Sequence, residues 1–298
     1  MAPSRRLVKL VILVATLAHG ATACGDDSGD DSGDAGSATT SNTAVPTSIS
    51  AVATTTTSTS APSTSTSVAT DPFCTDYLAV SQALSTAPWN GEPSTYPTRD
   101  VMAEYYDDAV APLVNRLASD EAPEAVSTDV ATYLDVVQRF GAGHADLSAI
   151  ANPAYYEAGA AIDVHAFENC GFRVNEVIGV DDAFSGVPTV LAAGANAFEF
   201  TNRSTSGEWH ELLLLRKNDG ITQSFDEILA LPENERFHQA TLFGKNLAMP
   251  DEVTYVFADL QPGSYVALCS LPQGTSGHAL GHGPQHFTLG MVHEFTVE

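Results

Sequence analysis

A low-complexity stretch near the start of the chain limits what can fold. Residues 25–71 are almost entirely Ser, Thr, Ala, Gly, Asp, Val and Pro. Such a segment holds too little apolar surface to offset the entropy lost on ordering, so we expect a disordered linker there. In this 298-residue chain, folded structure is therefore expected in residues 72–298.

Residues 1–24 have the parts of a bacterial export signal. A basic start is followed by an apolar run at 10–18 and by the small residues Ala21-Thr22-Ala23, which form a cleavage site. The apolar run is too short to span a bilayer. Cys24 follows at once, as in bacterial lipoproteins, where this cysteine is lipidated. We expect an exported protein with a lipid anchor on Cys24 at the extracytoplasmic face of the cell membrane. Simple secretion is the alternative.

The charge of the chain restricts its partners. Twelve basic and 37 acidic residues give a formal net charge of −25. A surface with this charge repels phosphate backbones, which excludes nucleic acid as an expected partner. The same charge attracts cations and basic proteins.

The four cysteines divide into a pair and two single residues. Export places them in an oxidising compartment, where paired cysteines persist as disulfides. Cys74 and Cys170 flank one segment and are predicted to form a disulfide across it. If Cys24 carries lipid, Cys269 has no partner. A lone thiol in this compartment is either a buried, inert side chain or a metal ligand.

Residues 72–171 are predicted to form a helical bundle. Glycine is sparse there, and apolar residues recur at helical spacing in the windows 98–117, 128–140 and 153–168. Pro112 lies inside the first of these windows and predicts a kink or a break. Together with a helix at the start of the segment, these windows predict four helices closed by the Cys74–Cys170 disulfide.

Residues 172–298 have a different pattern, typical of a β-sandwich. Short runs rich in β-branched and aromatic residues alternate with Gly, Pro, Asn and Asp. The predicted strands lie at 187–190, 197–201, 211–215, 254–258, 264–268 and 294–297, with a short helix at 224–230.

The order of motifs in this half resembles that of cupredoxins, the plastocyanin and azurin family. A strand ending at Asn202 precedes Glu208-Trp-His-Glu211, a Pro-Gly-Ser-Tyr turn leads to Cys269, and His286-Phe-Thr-Leu-Gly-Met291 follows. The resemblance covers roughly residues 180–298 and implies a Greek-key β-sandwich there. With the helical bundle before it, the expected fold is an α+β, multidomain chain. The resemblance also implies one type 1 copper ion with His210, Cys269, His286 and Met291 as its ligands.

The chemistry of this donor set agrees with the resemblance. One thiolate, two imidazoles and a weak axial thioether are the ligands of a blue-copper site. The expected function is that of a surface-tethered protein that transfers electrons or carries copper, with a redox or copper-exchange protein as partner. The alternative is a metal-free, cupredoxin-like binding module of the cell envelope. The sequence holds no Ser/His/Asp motif, nucleotide loop or second copper-ligand set, so we do not expect an enzyme.

The chain departs from the family pattern between the cysteine and the second histidine. Sixteen residues separate Cys269 from His286, where small cupredoxins have only a few. The insertion also carries His278 and His282, and His293 follows it. These imidazoles are interpreted either as solvated loop residues or as a second site for Cu(II) or Zn(II).

Overall fold

A computed structural model describes residues 71–87, 98–145, 152–277 and 279–298. The export signal, Cys24 and the linker up to residue 70 lie outside these ranges, and so does His278. In the part of the chain that is described, no helix has the length and apolarity needed to cross a membrane.

The N-terminal part is helical, as predicted. Its helices are α1 (Pro72–Ser85), α2 (Arg99–Tyr105), α3 (Ala111–Ser119), α4 (Ser127–Ala142) and α5 (Pro153–Asn169). The expected helix over 98–117 is interrupted by a π-helical turn at Tyr106–Val110. Pro112 then lies in the first turn of α3, where its missing N–H removes no helical hydrogen bond.

The predicted disulfide is confirmed. Cys74 on α1 is bonded to Cys170, which follows directly after α5, and the two residues are 96 positions apart in the sequence. Both side chains are buried in the helical core. The covalent bond therefore joins the first and last turns of the helical part.

The described residues from 173 onward form two β-sheets, which confirms a β-sandwich after the helices. The strands are β1 (Arg173–Val180), β2 (Ala183–Ser185), β3 (Val190–Leu191), β4 (Gly194–Asn202), β5 (His210–Lys217), β6 (Ala240–Ala248), β7 (Val253–Leu260), β8 (Gly263–Leu268) and β9 (Val292–Val297). The first sheet has the order β2-β1-β4-β7 and the second β3-β9-β8-β5-β6. Both sheets are mixed, because β1 with β4 and β3 with β9 pair in parallel.

Short helices and one shortened strand complete the sandwich. The predicted helix over 224–230 is α6 (Phe225–Leu229), and it is followed by α7 (Glu233–Gln239). Ser224 caps α6 in a reciprocal arrangement with Glu227. The predicted strand at 187–190 is wrong except for its last residue, because Pro188 has no N–H for a strand ladder.

The helices pack against the first sheet and share its core. The ring of Phe257 on β7 lies 5.9 Å from that of Tyr77 on α1. Gln82 joins the edges of both sheets, because its amide donates to the carbonyl of Phe243 at 3.1 Å and accepts from the N–H of Asp259 at 3.2 Å. The boundary between the two expected domains stays a prediction, since the helices and the sandwich bury one another.

Three strand ends meet at one end of the second sheet. Leu268, the last residue of β8, pairs with Leu213 of β5 and with Val292, the first residue of β9. The start of β5, the end of β8 and the start of β9 are therefore neighbours. Three predicted metal ligands adjoin these ends, namely His210, Cys269 and Met291, and the fourth, His286, lies between β8 and β9.

Candidate metal centre

The Cys269 thiol lies at the centre of this end of the sandwich. It is a free cysteine with no solvent exposure. Its backbone N–H donates to the carbonyl of Met291 at 3.1 Å, and its own carbonyl accepts from Phe287 at 2.9 Å. Burial raises the pKa of the thiol, and the charge of Glu211 adds to this rise. Hydrogen bonds from the backbone N–H groups of Glu211 and Leu271 lower the pKa but do not cancel the rise. Without a bound cation the sulfur therefore keeps its proton.

His210 provides the first imidazole from the start of β5. Its side chain is buried, and its Nδ1 lies 4.0 Å from Cys269 Sγ. Its Nε2 is buried without a hydrogen-bond partner among the described residues. Burial, and then the nearby charge of His286, lower the pKa of His210 from 6.5 to about 4. The ring is consequently neutral at pH 7, the form that binds a metal ion.

His286 provides the second imidazole and begins the short helix α8 (His286–Leu289). Its Nδ1 lies 3.4 Å from Cys269 Sγ, and its Nε2 lies 2.7 Å from a carboxylate oxygen of Glu208. The backbone N–H of His286 donates to Leu271 at 3.0 Å. The ring thus faces the thiol with one nitrogen and a carboxylate with the other.

The three donor atoms have the spacing of a single metal site. The rings of His210 and His286 are 4.6 Å apart, and the two donor nitrogens and the sulfur lie within 4.8 Å of one another. A transition metal bound at about 2.0 Å from nitrogen and about 2.3 Å from sulfur would place such atoms roughly 3.5–3.9 Å apart. The observed distance from the sulfur to Nδ1 of His286, 3.4 Å, is just below that range, and the distance to Nδ1 of His210, 4.0 Å, is just above it. Sulfur and imidazole donors select copper, zinc or iron over calcium and magnesium.

Met291 lies beside this group in the same buried core cluster as Cys269. Its backbone N–H donates to the carbonyl of His286 at 3.0 Å. Its methyl group packs on Gly179 of β1, where an added Cβ would come within 2.7 Å of it. The sequence pattern did not reveal this contact of Gly179, although a buried glycine in a strand signals such a close approach. The role of Met291 as axial ligand stays a prediction.

The sixteen-residue insertion folds back on itself and returns next to Cys269. Pro272 and Gln285 form a β-bridge, so the two ends of the insertion are adjacent. It also contacts the residue before His210, because the N–H of Trp209 donates to the carbonyl of Thr275 at 2.9 Å. This hairpin-like path explains how a long insertion still brings His286 to within 3.4 Å of the sulfur.

Two other histidines of this region, His282 and His293, do not join the cluster. His282 is exposed, and His293 lies on β9. Within the described ranges, the donor atoms that lie close enough to share a metal ion belong to His210, Cys269 and His286. His278 is outside those ranges. Sequence reasoning named all three members of the cluster but missed Glu208, which is 78 positions away from its partner His286.

Comparisons with known proteins give matches among solved structures, and those described below cover 42–43% of this chain. No family model and no curated protein matches this chain. Auracyanin from Roseiflexus castenholzii is similar at 19% identity, with 42% of this chain and 96% of that chain covered and a TM-score of 0.29. Auracyanin A from Chloroflexus aurantiacus, a "blue" copper protein, has 19% identity, coverage of 42% and 98%, and a TM-score of 0.29. A multi-copper oxidase from Pediococcus acidilactici has 15% identity, coverage of 43% and 26%, and a TM-score of 0.26.

These neighbours include cupredoxins, the family that the sequence resembles. Their low identities and TM-scores lend no weight to any particular activity. Conclusions about function therefore depend on the donor atoms of this chain and on their surroundings.

Proposed function

We propose that this protein binds one type 1 copper ion through His210, Cys269, His286 and Met291 and uses it for electron transfer. Carriage of copper is the second use of the same site. The observation that supports the proposal most is the convergence of both Nδ1 atoms on a buried, free thiol.

The surroundings of the donors suit a redox site. A bound copper ion would supply a one-electron Cu(II)/Cu(I) couple and would hold the sulfur as a thiolate. The chain itself excludes water, since His210, Cys269, His286 and Met291 are each at most 1% exposed. Hydrogen bonds between Cys269, His286 and Met291 through the backbone hold the ligand loop in one arrangement. A rigid, dry site of this kind limits rearrangement between the two oxidation states.

The same residues do not favour a nucleophilic enzyme. Cys269, His286 and Glu208 form a line of contacts like that of a thiol, a base and an orienting carboxylate. A catalytic thiol has to be accessible and to have a lowered pKa. Cys269 has no exposure, and burial raises its pKa. Electron transfer therefore fits the geometry better than covalent catalysis.

The proposed setting of this site is the outer face of the cell membrane. The signal-like residues 1–24 and the lipoprotein-like Cys24 support export and a lipid anchor, and the Ser/Thr-rich residues 25–71 support a tether. The net charge of −25 favours a redox or copper-exchange partner with a basic surface.

Copper titration of the purified protein tests this function. We expect one Cu(II) per chain and an intense visible band from thiolate-to-copper charge transfer. Cys269→Ser should remove the band, and His210→Ala should shift or weaken it. His282→Ala removes an exposed imidazole outside the cluster and is the matched control, which should leave the band unchanged.

Two results would contradict the proposal. A protein that remains colourless and takes up no stoichiometric copper would favour the metal-free binding module. A band that survives Cys269→Ser would place the copper elsewhere. Rapid loss of copper to a protein acceptor, with poor electron exchange, would favour carriage over electron transfer.

A further inference from the structure

We infer that Glu208 is a positioning residue that fixes the orientation of the His286 ring, and thereby which ring nitrogen faces the metal site. This inference rests on the proposed function for its role in copper binding. Its structural part concerns the metal-free protein and is tested separately.

The contact between the two side chains is short and shielded. The Oε2 atom of Glu208 lies 2.7 Å from Nε2 of His286. The His286 side chain is 1% exposed and that of Glu208 is 18% exposed. A hydrogen bond to a carboxylate in such surroundings is about twice as strong as one between neutral groups.

Glu208 is itself held in place from both sides. Its carbonyl accepts from Nδ2 of Asn202 at 2.9 Å, and the same buried amide donates to Ala248 at 2.9 Å. On the other side, the N–H of Trp209 donates to Thr275 in the insertion at 2.9 Å. The carboxylate therefore projects from a segment fastened to both β6 and the insertion.

The backbone of His286 is also fixed, so the free variable is the rotation of its ring. The terminal torsion of a histidine is broad and roughly two-fold. A half-turn about that torsion would exchange Nδ1 with Cδ2 and would direct a carbon at Cys269. Acceptance of the Nε2 proton by Glu208 opposes this half-turn. It also leaves the lone pair on Nδ1, the atom 3.4 Å from the sulfur.

His210 lacks a comparable partner, which makes the role of Glu208 specific to one of the two imidazoles. Nε2 of His210 has no hydrogen-bond partner among the residues described. Its ring is held by burial in β5 and against His286. We therefore expect loss of Glu208 to affect His286 and to leave the tautomer of His210 unchanged.

Imidazole ¹⁵N NMR of the metal-free protein tests the structural part. In the wild type we expect a single His286 tautomer with the proton on Nε2 and slow exchange of that proton with water. Glu208→Gln keeps a neutral acceptor and should speed the exchange, and Glu208→Ala should speed it further and mix the tautomers. Glu157→Gln, at an exposed position on α5, is a control with the same change of charge. Equal exchange rates in all four proteins would overturn the inference.

Copper binding tests the functional part. Loss of an outer partner of a metal-binding histidine typically costs about 10–100-fold in affinity, so we expect Glu208→Ala to weaken Cu(II) binding by about that factor. Glu208→Gln should lose less affinity for Cu(II), and Glu157→Gln should lose none. Unchanged affinity in Glu208→Ala would overturn this part.

The two proposals fail in different ways. If the wild type binds no copper, the proposed function is wrong. The role of Glu208 is then decided only by the exchange rates of the His286 Nε2 proton in the wild type, Glu208→Gln and Glu208→Ala. If Glu208→Ala does not fold, the comparison of wild type with Glu208→Gln still decides it, because the neutral amide is the weaker acceptor.

Discussion

The protein has two buried regions of opposite character, the aromatic interface between the helices and the first sheet and the donor cluster at the end of the second sheet. In the aromatic interface, Tyr77 packs on Phe257, and its hydroxyl donates to Asp163 at 2.6 Å. In the donor cluster, one imidazole nitrogen of His210 has no partner within the described ranges, and two imidazoles crowd a thiol.

This difference separates residues that stabilise the fold from residues kept for chemistry. Apolar and aromatic burial contributes to folding, whereas a buried polar atom without a partner costs about 1–3 kcal/mol. Natural proteins break the rules of packing mainly at functional sites. Changes in the aromatic interface should therefore lower stability and spare copper binding, and changes at His210 should do the reverse.

The largest effect is expected at Phe257, which is 1% exposed and contacts Tyr77 and Phe172. Phe257→Ala should lower the free energy of unfolding by about 3–5 kcal/mol, because it leaves a cavity between helices and sheet. Urea unfolding measures this change. Val253→Ala, at a half-exposed position on the same strand, is the control and should change it by no more than about 0.5 kcal/mol. If the folded Phe257→Ala protein no longer bound one copper ion per chain, the two regions would not be independent.

The disulfide gives the next largest effect. Replacement of Cys74 and Cys170 together by Ala should lower the free energy of unfolding by about 2–4 kcal/mol, because the unfolded chain loses a cross-link over 96 residues. Urea unfolding again measures it, with copper stoichiometry unchanged. Added reductant should destabilise the wild type and have no effect on the double variant. A visible band altered by the double substitution would show that the helices do reach the metal site.

The sequence allowed prediction of those parts of the site that follow from local patterns. Cys269 ends a strand after a Pro-Gly turn, and His210 starts an apolar strand, so both could be placed at strand ends. The return of His286 could not be derived, because it depends on how the insertion pairs Pro272 with Gln285. Likewise, the partner of His286 is remote in sequence, and no local pattern connects Glu208 with it.

Strand β1 shows why another part of the fold escaped prediction. Its buried positions include Asn175, Val177 and Gly179, whereas Val174 and Ile178 are exposed. The usual alternation of apolar residues inward and polar residues outward is thus largely inverted. Gly179 faces inward by the alternation of the strand, and it has to be a glycine because the side chain of Met291 occupies the space where a Cβ would be. Close packing against Met291 therefore accounts for a glycine at this inward position of the strand.

The pH dependence of stability is a third way to test the contrast. In the metal-free protein the pKa of His210 is about 4, below its ordinary value of 6.5, because the ring is buried. As the pH falls from about 6.5 towards 4, the unfolded chain takes up a proton that the folded chain does not, so the free energy of unfolding decreases. We expect a loss of roughly 1–3 kcal/mol from this group. The difference between the urea-unfolding curves of wild type and His210→Leu over pH 4–8 isolates it. A difference that does not vary with pH would contradict burial as the cause.

The smallest effect, and the sharpest contrast, is expected from replacing each imidazole with leucine at pH 7.5. His210→Leu removes a buried nitrogen that lacks a partner in the described part of the chain, and it should raise the free energy of unfolding of the metal-free protein by about 1 kcal/mol. His286→Leu is its matched control with the opposite sign, because it leaves the partly buried carboxylate of Glu208 without its 2.7 Å contact. That loss should cost about 1–2 kcal/mol. Both variants should lose the copper band. If His210→Leu lowered the free energy of unfolding as much as His286→Leu does, both imidazoles would contribute equally to the stability of the fold. The gain in stability, together with the loss of copper, would instead mark His210 as a residue retained for metal binding at the expense of the fold.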